Sequence, residues 1–136
     1  MKRLLRRSAV LLSLLAVAGC GSNRHLQSVS LNPASADARN FPNGQVSFIA
    51  TGTFSSPPSP QNLTSKDVFW CVGSTSGDCV GNVNPGANLD QNGTAQCNPG
   101  FVGTATILAG TQSSVMVNPD QGPQLKVFGA AQLTCP

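Results

Sequence analysis

The sequence predicts an all-β protein. Short stretches alternate apolar and polar side chains, turn-forming residues separate them about every 8–12 positions, and nothing after residue 25 repeats with a helical period. The composition agrees with this prediction. The chain has no Tyr and no Glu, and it is rich in Ser, Thr, Asn, Gln and Gly, which favour strands and turns over helices.

The N-terminal segment is not part of the predicted fold. A basic start is followed by residues 9–18, which are apolar except for Ser13 and shorter than the roughly 20 residues that span a bilayer. This pattern predicts a signal peptide. Residues 17–20, Val-Ala-Gly-Cys, resemble the lipobox of bacterial lipoproteins. The resemblance implies a lipid on the Cys20 thiol and cleavage after Gly19; the alternative is an ordinary secretory signal that happens to carry a cysteine.

These boundaries divide the chain into three parts. Residues 1–19 are the signal peptide, 20–25 the lipidated N-terminus with a short flexible tether, and 26–136 a single domain. The expected location is the cell envelope, with a membrane anchor at Cys20. Gly21, in place of Asp, favours the outer membrane in a cell that has one.

Cleavage also changes the net charge. The full chain carries a formal charge of +3, but four of its eight basic residues leave with the signal peptide. The remaining four face five aspartates, so the mature chain has a formal charge of −1. A nucleic-acid partner is therefore not expected.

Four cysteines remain beside Cys20: Cys71, Cys79, Cys97 and Cys135. An even number in an exported chain predicts disulfides, for which three connectivities are possible. We predict Cys71–Cys79, which flanks a tight turn, and Cys97–Cys135, because both end strands in phase with apolar residues. No Cys-x-x-Cys pair occurs and the one histidine is His25, so neither a metal nor another cofactor is expected.

The alternation predicts seven strands. One of them contains Trp70, the largest side chain in the sequence. In that strand Val68, Trp70 and Val72 are expected inward, and Phe69 and Cys71 on the opposite face. The longest alternation covers 45–54 and is expected to form one strand. The predicted strands are 26–32, 45–54, 67–72, 79–83, 94–97, 103–109 and 124–135.

Two of the connections have an alternative interpretation. Residues 55–61 contain three prolines, which lack amide donors, so a stiff exposed loop is predicted and a proline-recognition ligand is the alternative. Asp90-Gln91-Asn92-Gly93 predicts a hairpin turn. A calcium loop is its alternative, but the further ligands that such a loop needs are missing.

About seven short strands with regular turns predict an immunoglobulin-like β-sandwich. An oligonucleotide-binding barrel is the all-β rival, and the chain lacks the aromatic and basic stripe that such a barrel uses. The stretches Val-Ser-Leu-Asn-Pro-Ala at 29–34, Ala-Thr-Gly-Thr-Phe at 50–54 and Asn-Leu-Thr-Ser-Lys-Asp-Val-Phe-Trp at 62–70 resemble the second group of bacterial immunoglobulin-like domains, as do Asn-Gly-Thr-Ala at 92–95 and Gly-Thr-Ala-Thr-Ile at 103–107.

The resemblance implies a β-sandwich on a bacterial surface protein, used as a spacer or adhesive module, and it supplies no catalytic residues. The cysteines and the long segment 111–123 are additions to the family pattern. Within that segment, Val115, Met116 and Val117 form an apolar cluster that is a candidate contact site for a partner. The alternative is an edge hairpin that only covers the sheet.

Two functions remain open from the sequence, and neither is enzymatic, because the histidine and carboxylates are scattered singly. The first is a structural, assembly or adhesive module held at the membrane. The second is recognition of a glycan or an envelope protein through loops.

Overall fold

The computed structural model describes residues 23–80, 86–113 and 122–136; Cys20 and the cluster Val115, Met116 and Val117 lie outside these ranges. The described chain is β-structure with two short 3-10 turns and no α-helix, so the all-β prediction is confirmed. Ten strands are present in these ranges: β1 (Leu26–Asn32), β2 (Ser35–Asp37), β3 (Gln45–Ser47), β4 (Ile49–Phe54), β5 (Gln61–Asn62), β6 (Phe69–Val72), β7 (Ala87–Leu89), β8 (Thr94–Cys97), β9 (Gly103–Gln112) and β10 (Leu125–Cys135).

The described strands form three sheets. Their orders are β1-β4-β5, β3-β8-β7 and β2-β10-β9-β6. Neighbours are antiparallel except for β2, which runs parallel to the end of β10. The sequence predicted β1, β8 and β10 to within a residue, but it did not predict the short strands β2, β5 and β7.

The prediction of a single strand at 45–54 is wrong. This stretch is divided into β3, which pairs with β8, and β4, which pairs with β1. Between them the Phe48 amide donates to the Gly93 carbonyl at 2.8 Å. The alternation continues through the division, since Val46 and Phe48 are buried whereas Ile49 is 50% exposed. Alternation specifies the face of each side chain and leaves the choice of partner strand open.

The main core receives side chains from all three sheets. Trp70 is only 3% exposed, and Val68 and Val72 are buried with it, as predicted. Phe48 and Ile107 are the largest members with almost no exposed surface. Burying a tryptophan or a phenylalanine removes about 150–250 Å² from water, so Trp70 and Phe48 are among the largest single contributors to the hydrophobic stabilisation.

A second apolar cluster lies on the other face of β6, β9 and β10. It contains Cys71, Cys79, Leu108 and Leu125, with Phe69 and Phe128 packed against it. Phe69 and Cys71 therefore lie opposite Trp70, as the alternation predicts. The turn at 73–79 covers this face closely, because a Cβ on Gly77 would lie 2.5 Å from the Phe128 ring.

The predicted strand at 79–83 is not found in its described part. Cys79 forms an isolated bridge with Gly73, and the Val80 amide donates to the Val72 carbonyl at 2.8 Å. Residues 81–83 lie outside the described ranges. The Cys71–Cys79 disulfide holds the start of this stretch against the sheet. The chain therefore turns at the position where a strand was predicted.

Candidate functional site: the N-terminal end of the domain

Arg24 attaches the start of the described chain to the proline-rich loop at 55–61. Its Nε donates to the Ser56 carbonyl at 3.3 Å, and its Nη2 donates to Gln61 Oε1 at 2.8 Å and to the Pro58 carbonyl. The guanidinium also lies 3.6 Å above the centre of the Phe54 ring. A cation over an aromatic face contributes about 0.5–1 kcal/mol at an exposed site. The planar guanidinium satisfies three oxygens and a ring at once, which a lysine could not do.

The neighbours of Arg24 strengthen this attachment. The His25 amide donates to Ser55 Oγ at 3.0 Å, and the Ser55 amide donates to the His25 carbonyl at 2.9 Å. These bonds extend the pairing of β1 with β4 by one residue. His25 is thus paired with Ser55, whereas the flexible tether predicted for residues 20–25 stays a prediction.

The long connection between β9 and β10 emerges at the same end of the domain. β1 and β2 run in the same direction as β10, because two contacts follow one another in the same order along both segments. A Cβ on Gly129 would lie 2.6 Å from the Val29 carbonyl oxygen, and further along the Gln132 amide donates to the Ala34 carbonyl at 3.0 Å. The beginning of β1 therefore lies beside the beginning of β10.

The structure also revises the bounds of the predicted contact segment at 111–123. Thr111 and Gln112 belong to β9 and pair with Val127 and Leu125. The Ser113 amide donates to the Gln124 carbonyl at 2.7 Å, which closes the hairpin. The candidate contact residues Val115, Met116 and Val117 are outside the described ranges, so their role stays a prediction.

Charges at this end are held by local hydrogen bonds. Asp67 accepts from the Thr64 amide at 2.8 Å and from Thr64 Oγ1 at 2.7 Å. These bonds, with a smaller contribution from the positive charges of Arg24 and Lys66, hold the pKa of Asp67 below its usual value.

The opposite end of the domain carries a shallow depression. It is lined in part by Phe41, Gly44, Gln96, Cys97 and Pro136. Val102, also in a connection at this end, is 76% exposed. An ion pair joins Arg39 to Asp37 at 2.6 Å, and its hydrogen bonds lower the pKa of the Asp37 carboxyl.

A row of uncharged amides crosses the exposed face of the β3-β8-β7 sheet. Gln45 pairs with Gln96, and Gln96 pairs with Asn88, so three exposed side chains lie side by side. Gln96 Nε2 donates to the Asn43 carbonyl at 3.0 Å. Amides both donate and accept hydrogen bonds, so this row can bind neutral polar groups.

The described cysteines form the two disulfides expected from the sequence. Cys71 and Cys79 are 5.6 Å apart between their Cα atoms, and Cys97 and Cys135 are 5.7 Å apart. The second bond joins β8 and β10, which belong to different sheets. In the part of the chain that is described, no three His, Cys, Asp or Glu side chains are grouped as metal ligands, and no apolar helix reaches the length of a bilayer.

Sequence reasoning did not find the role of Arg24 and Phe54. The two residues are 30 positions apart, and no sequence pattern indicates the partner of an arginine four residues after Cys20. No protein-family model matches this sequence, and no curated protein is a significant match to it.

Proposed function

We propose that this chain is a membrane-anchored surface lipoprotein whose single immunoglobulin-like domain acts as a structural, assembly or adhesive module of the cell envelope. The observation that carries the domain assignment is the strand order. When β3 and β4 are counted as one strand that changes partner, and the short edge strands β2 and β5 are left aside, β1, β3/β4, β8 and β7 form one layer and β10, β9 and β6 the other. Four strands facing three is the arrangement of the constant-type immunoglobulin sandwich.

Two further features support this assignment. Trp70 lies on β6, which is the third of these seven strands in chain order. A buried tryptophan on the third strand is typical of immunoglobulin domains. The main core contains side chains from both proposed layers. A disulfide between the layers is also typical, and here Cys97–Cys135 takes that role at the end of β8 and β10.

The envelope assignment rests on the lipobox-like residues 17–20 and on the disulfides. Two disulfides in a chain of this size fit an oxidising compartment outside the cytosol. The proposed anchor is the lipidated Cys20, and the expected partner is the membrane, with an envelope protein as the assembly partner. The proposal places the protein in the outer membrane of a cell that has one.

The test of the anchor is Cys20→Ser in the full chain, expressed in a bacterium that processes lipoproteins. Stable attachment needs two or more acyl chains, so the variant should leave the membrane fraction. Mass spectrometry of the N-terminal peptide should show acyl chains on Cys20 in the parent chain. A variant that still sediments with membranes in high salt would contradict the proposal.

The alternative is a module that binds a neutral glycan or a protein. The observation in its favour is the amide row Gln45, Gln96 and Asn88 on an exposed sheet face. A glycan array would test it with the parent chain, the Gln96→Ala variant and a variant in which 114–121 is replaced by Asn-Gly. Binding that is lost only in Gln96→Ala assigns the sheet face, and binding lost only in the loop variant assigns the loop.

A further inference from the structure

We propose that the domain stands on the bilayer by its N-terminal end, with the loop at 55–61 against the phospholipid headgroups and the depression beside Phe41 turned away from the membrane. This inference rests on the proposed lipid anchor at Cys20. It adds the face of the domain that meets the lipid surface and the contacts that fix this orientation.

The chain between the proposed anchor and its attachment to the domain is short. Arg24 is four residues after Cys20, and four extended residues span at most about 14 Å. Arg24 itself is held by Ser56, Gln61 and the Phe54 ring. The Arg24 backbone therefore lies within about 14 Å of the lipidated residue, about twice the thickness of roughly 5–8 Å of one headgroup layer, and the loop at 55–61 lies directly beside Arg24.

The length of the domain also restricts its orientation. β10 has 11 residues, which at about 3.3 Å per residue extend over roughly 35 Å. It begins beside the attached end and finishes at Cys135, next to Pro136, which lines the depression at the opposite end. The opposite end cannot reach the headgroups while the Arg24 contacts persist, because the chain before Arg24 is too short to let the domain turn over.

The side chains of the attached end also suit contact with lipid headgroups. Residues 54–62, Phe-Ser-Ser-Pro-Pro-Ser-Pro-Gln-Asn, carry no acidic side chain, and residues 57–62 are exposed. Hydroxyl and amide groups can donate hydrogen bonds to lipid phosphates. Lys66 is exposed at the same end, and Asp67 is already bonded to Thr64. This surface therefore presents a cation and neutral donors to the headgroups.

The experiment uses the full lipidated chain, purified from membranes and inserted into phosphatidylcholine nanodiscs that contain a gadolinium-chelating lipid. Paramagnetic broadening falls steeply with distance, so amide signals report which end lies close to the lipid. We expect Ser55, Ser56, Gln61 and Asn62 to lose their signals, and Asn43 and Gly100 at the opposite end to keep theirs. Equal loss at both ends would overturn the proposal.

Two variants test the role of the Arg24 contacts. In Arg24→Ala the His25–Ser55 bonds remain but the side-chain contacts that fix the tilt are removed, so the contrast between the two ends should become smaller. Arg39→Ala is the matched control, because it removes an exposed arginine that is ion-paired at the opposite end, and it should keep the contrast. Contrast that is unchanged in Arg24→Ala, or is reduced in Arg39→Ala, would contradict orientation by Arg24. Native-like fluorescence of Trp70 verifies that both variants are folded.

Mass spectrometry of the same samples separates this inference from the function on which it rests. If Cys20 carries no acyl chains, both the anchor and the orientation are wrong. If Cys20 is acylated and the two ends broaden equally, the anchor stands and the orientation alone is overturned.

Discussion

The side-chain amide of Gln91 pairs with both backbone polar groups of Trp70. Gln91 Nε2 donates to the Trp70 carbonyl at 3.0 Å, and the Trp70 amide donates to Gln91 Oε1 at 3.2 Å. Among the described strands, β6 has a neighbour, β9, on one side only. Gln91 thus takes the place of a missing strand at Trp70, the largest side chain that β6 contributes to the core.

Replacing Gln91 by Ala should lower the free energy of unfolding by about 1–3 kcal/mol, because two backbone groups lose their partners. Urea unfolding followed by Trp70 fluorescence measures the change. Gln27→Ala is the matched control: Gln27 is exposed on β1, and its removal should change stability by less than about 0.5 kcal/mol. Equal effects of the two substitutions would show that the Gln91 pairing contributes nothing.

Trp70→Ala should cost about 3–5 kcal/mol, a large part of the stability of a domain of this size, because Trp70 is 3% exposed in the main core. Calorimetry should show that the variant loses its cooperative transition. Phe41→Ala, at a 37% exposed aromatic side chain, is the control and should retain it. Water-like fluorescence emission from Trp70 in the native parent chain would contradict its burial.

Two glycines with positive φ should respond differently to alanine. Gly93 has φ +83°, and a Cβ there would lie 2.5 Å from the Phe48 carbonyl oxygen and 2.8 Å from the Trp70 ring. Gly100 has φ +79° and open space. Gly100→Ala should cost only the backbone strain of about 1–2 kcal/mol, whereas Gly93→Ala should cost more. Thermal melts of the two variants decide this, and equal melting temperatures would refute the close packing at Gly93.

The two disulfides should contribute unequally to stability. The loop-entropy relation gives about 2.5 kcal/mol for the separation of 8 in Cys71–Cys79 and about 3.9 kcal/mol for the separation of 38 in Cys97–Cys135. Paired Cys-to-Ala variants compared by urea unfolding test this order. Non-reducing peptide mapping tests the pairing itself, and a peptide linking Cys79 to Cys97 would contradict the structure.

Asp67 should make stability sensitive to acid. Its pKa in the folded chain is below the usual value of 3.8, chiefly because Thr64 donates two hydrogen bonds to it. The unfolded chain therefore binds a proton first, and the stabilisation is present above pH 3.8 and lost as the pH falls through the folded pKa. Asp67→Asn should flatten the dependence of unfolding free energy on pH in this range. An unchanged slope would show that these hydrogen bonds do not favour the carboxylate.

The sequence alone determined the fold class, the phase of the main strands and the disulfide pairing. Alternation is a local property, so it assigned Val68, Trp70 and Val72 to the core before any sheet was known. Both disulfide pairs followed from cysteines beside a tight turn or at the ends of strands in phase with apolar residues. The strong Asn-Gly signal likewise predicted the turn between β7 and β8.

Only the tertiary structure decided which strands meet and what holds the N-terminal end. The division of 45–54 between two sheets, the parallel pairing of β2 with β10 and the contacts of Arg24 all join residues distant in sequence. Such contacts depend on the relative positions of whole strands, and the pattern of one strand does not encode them. A glutamine that replaces a strand and an arginine that fixes an end carry no local signature, since exposed polar side chains fit most surface positions equally well.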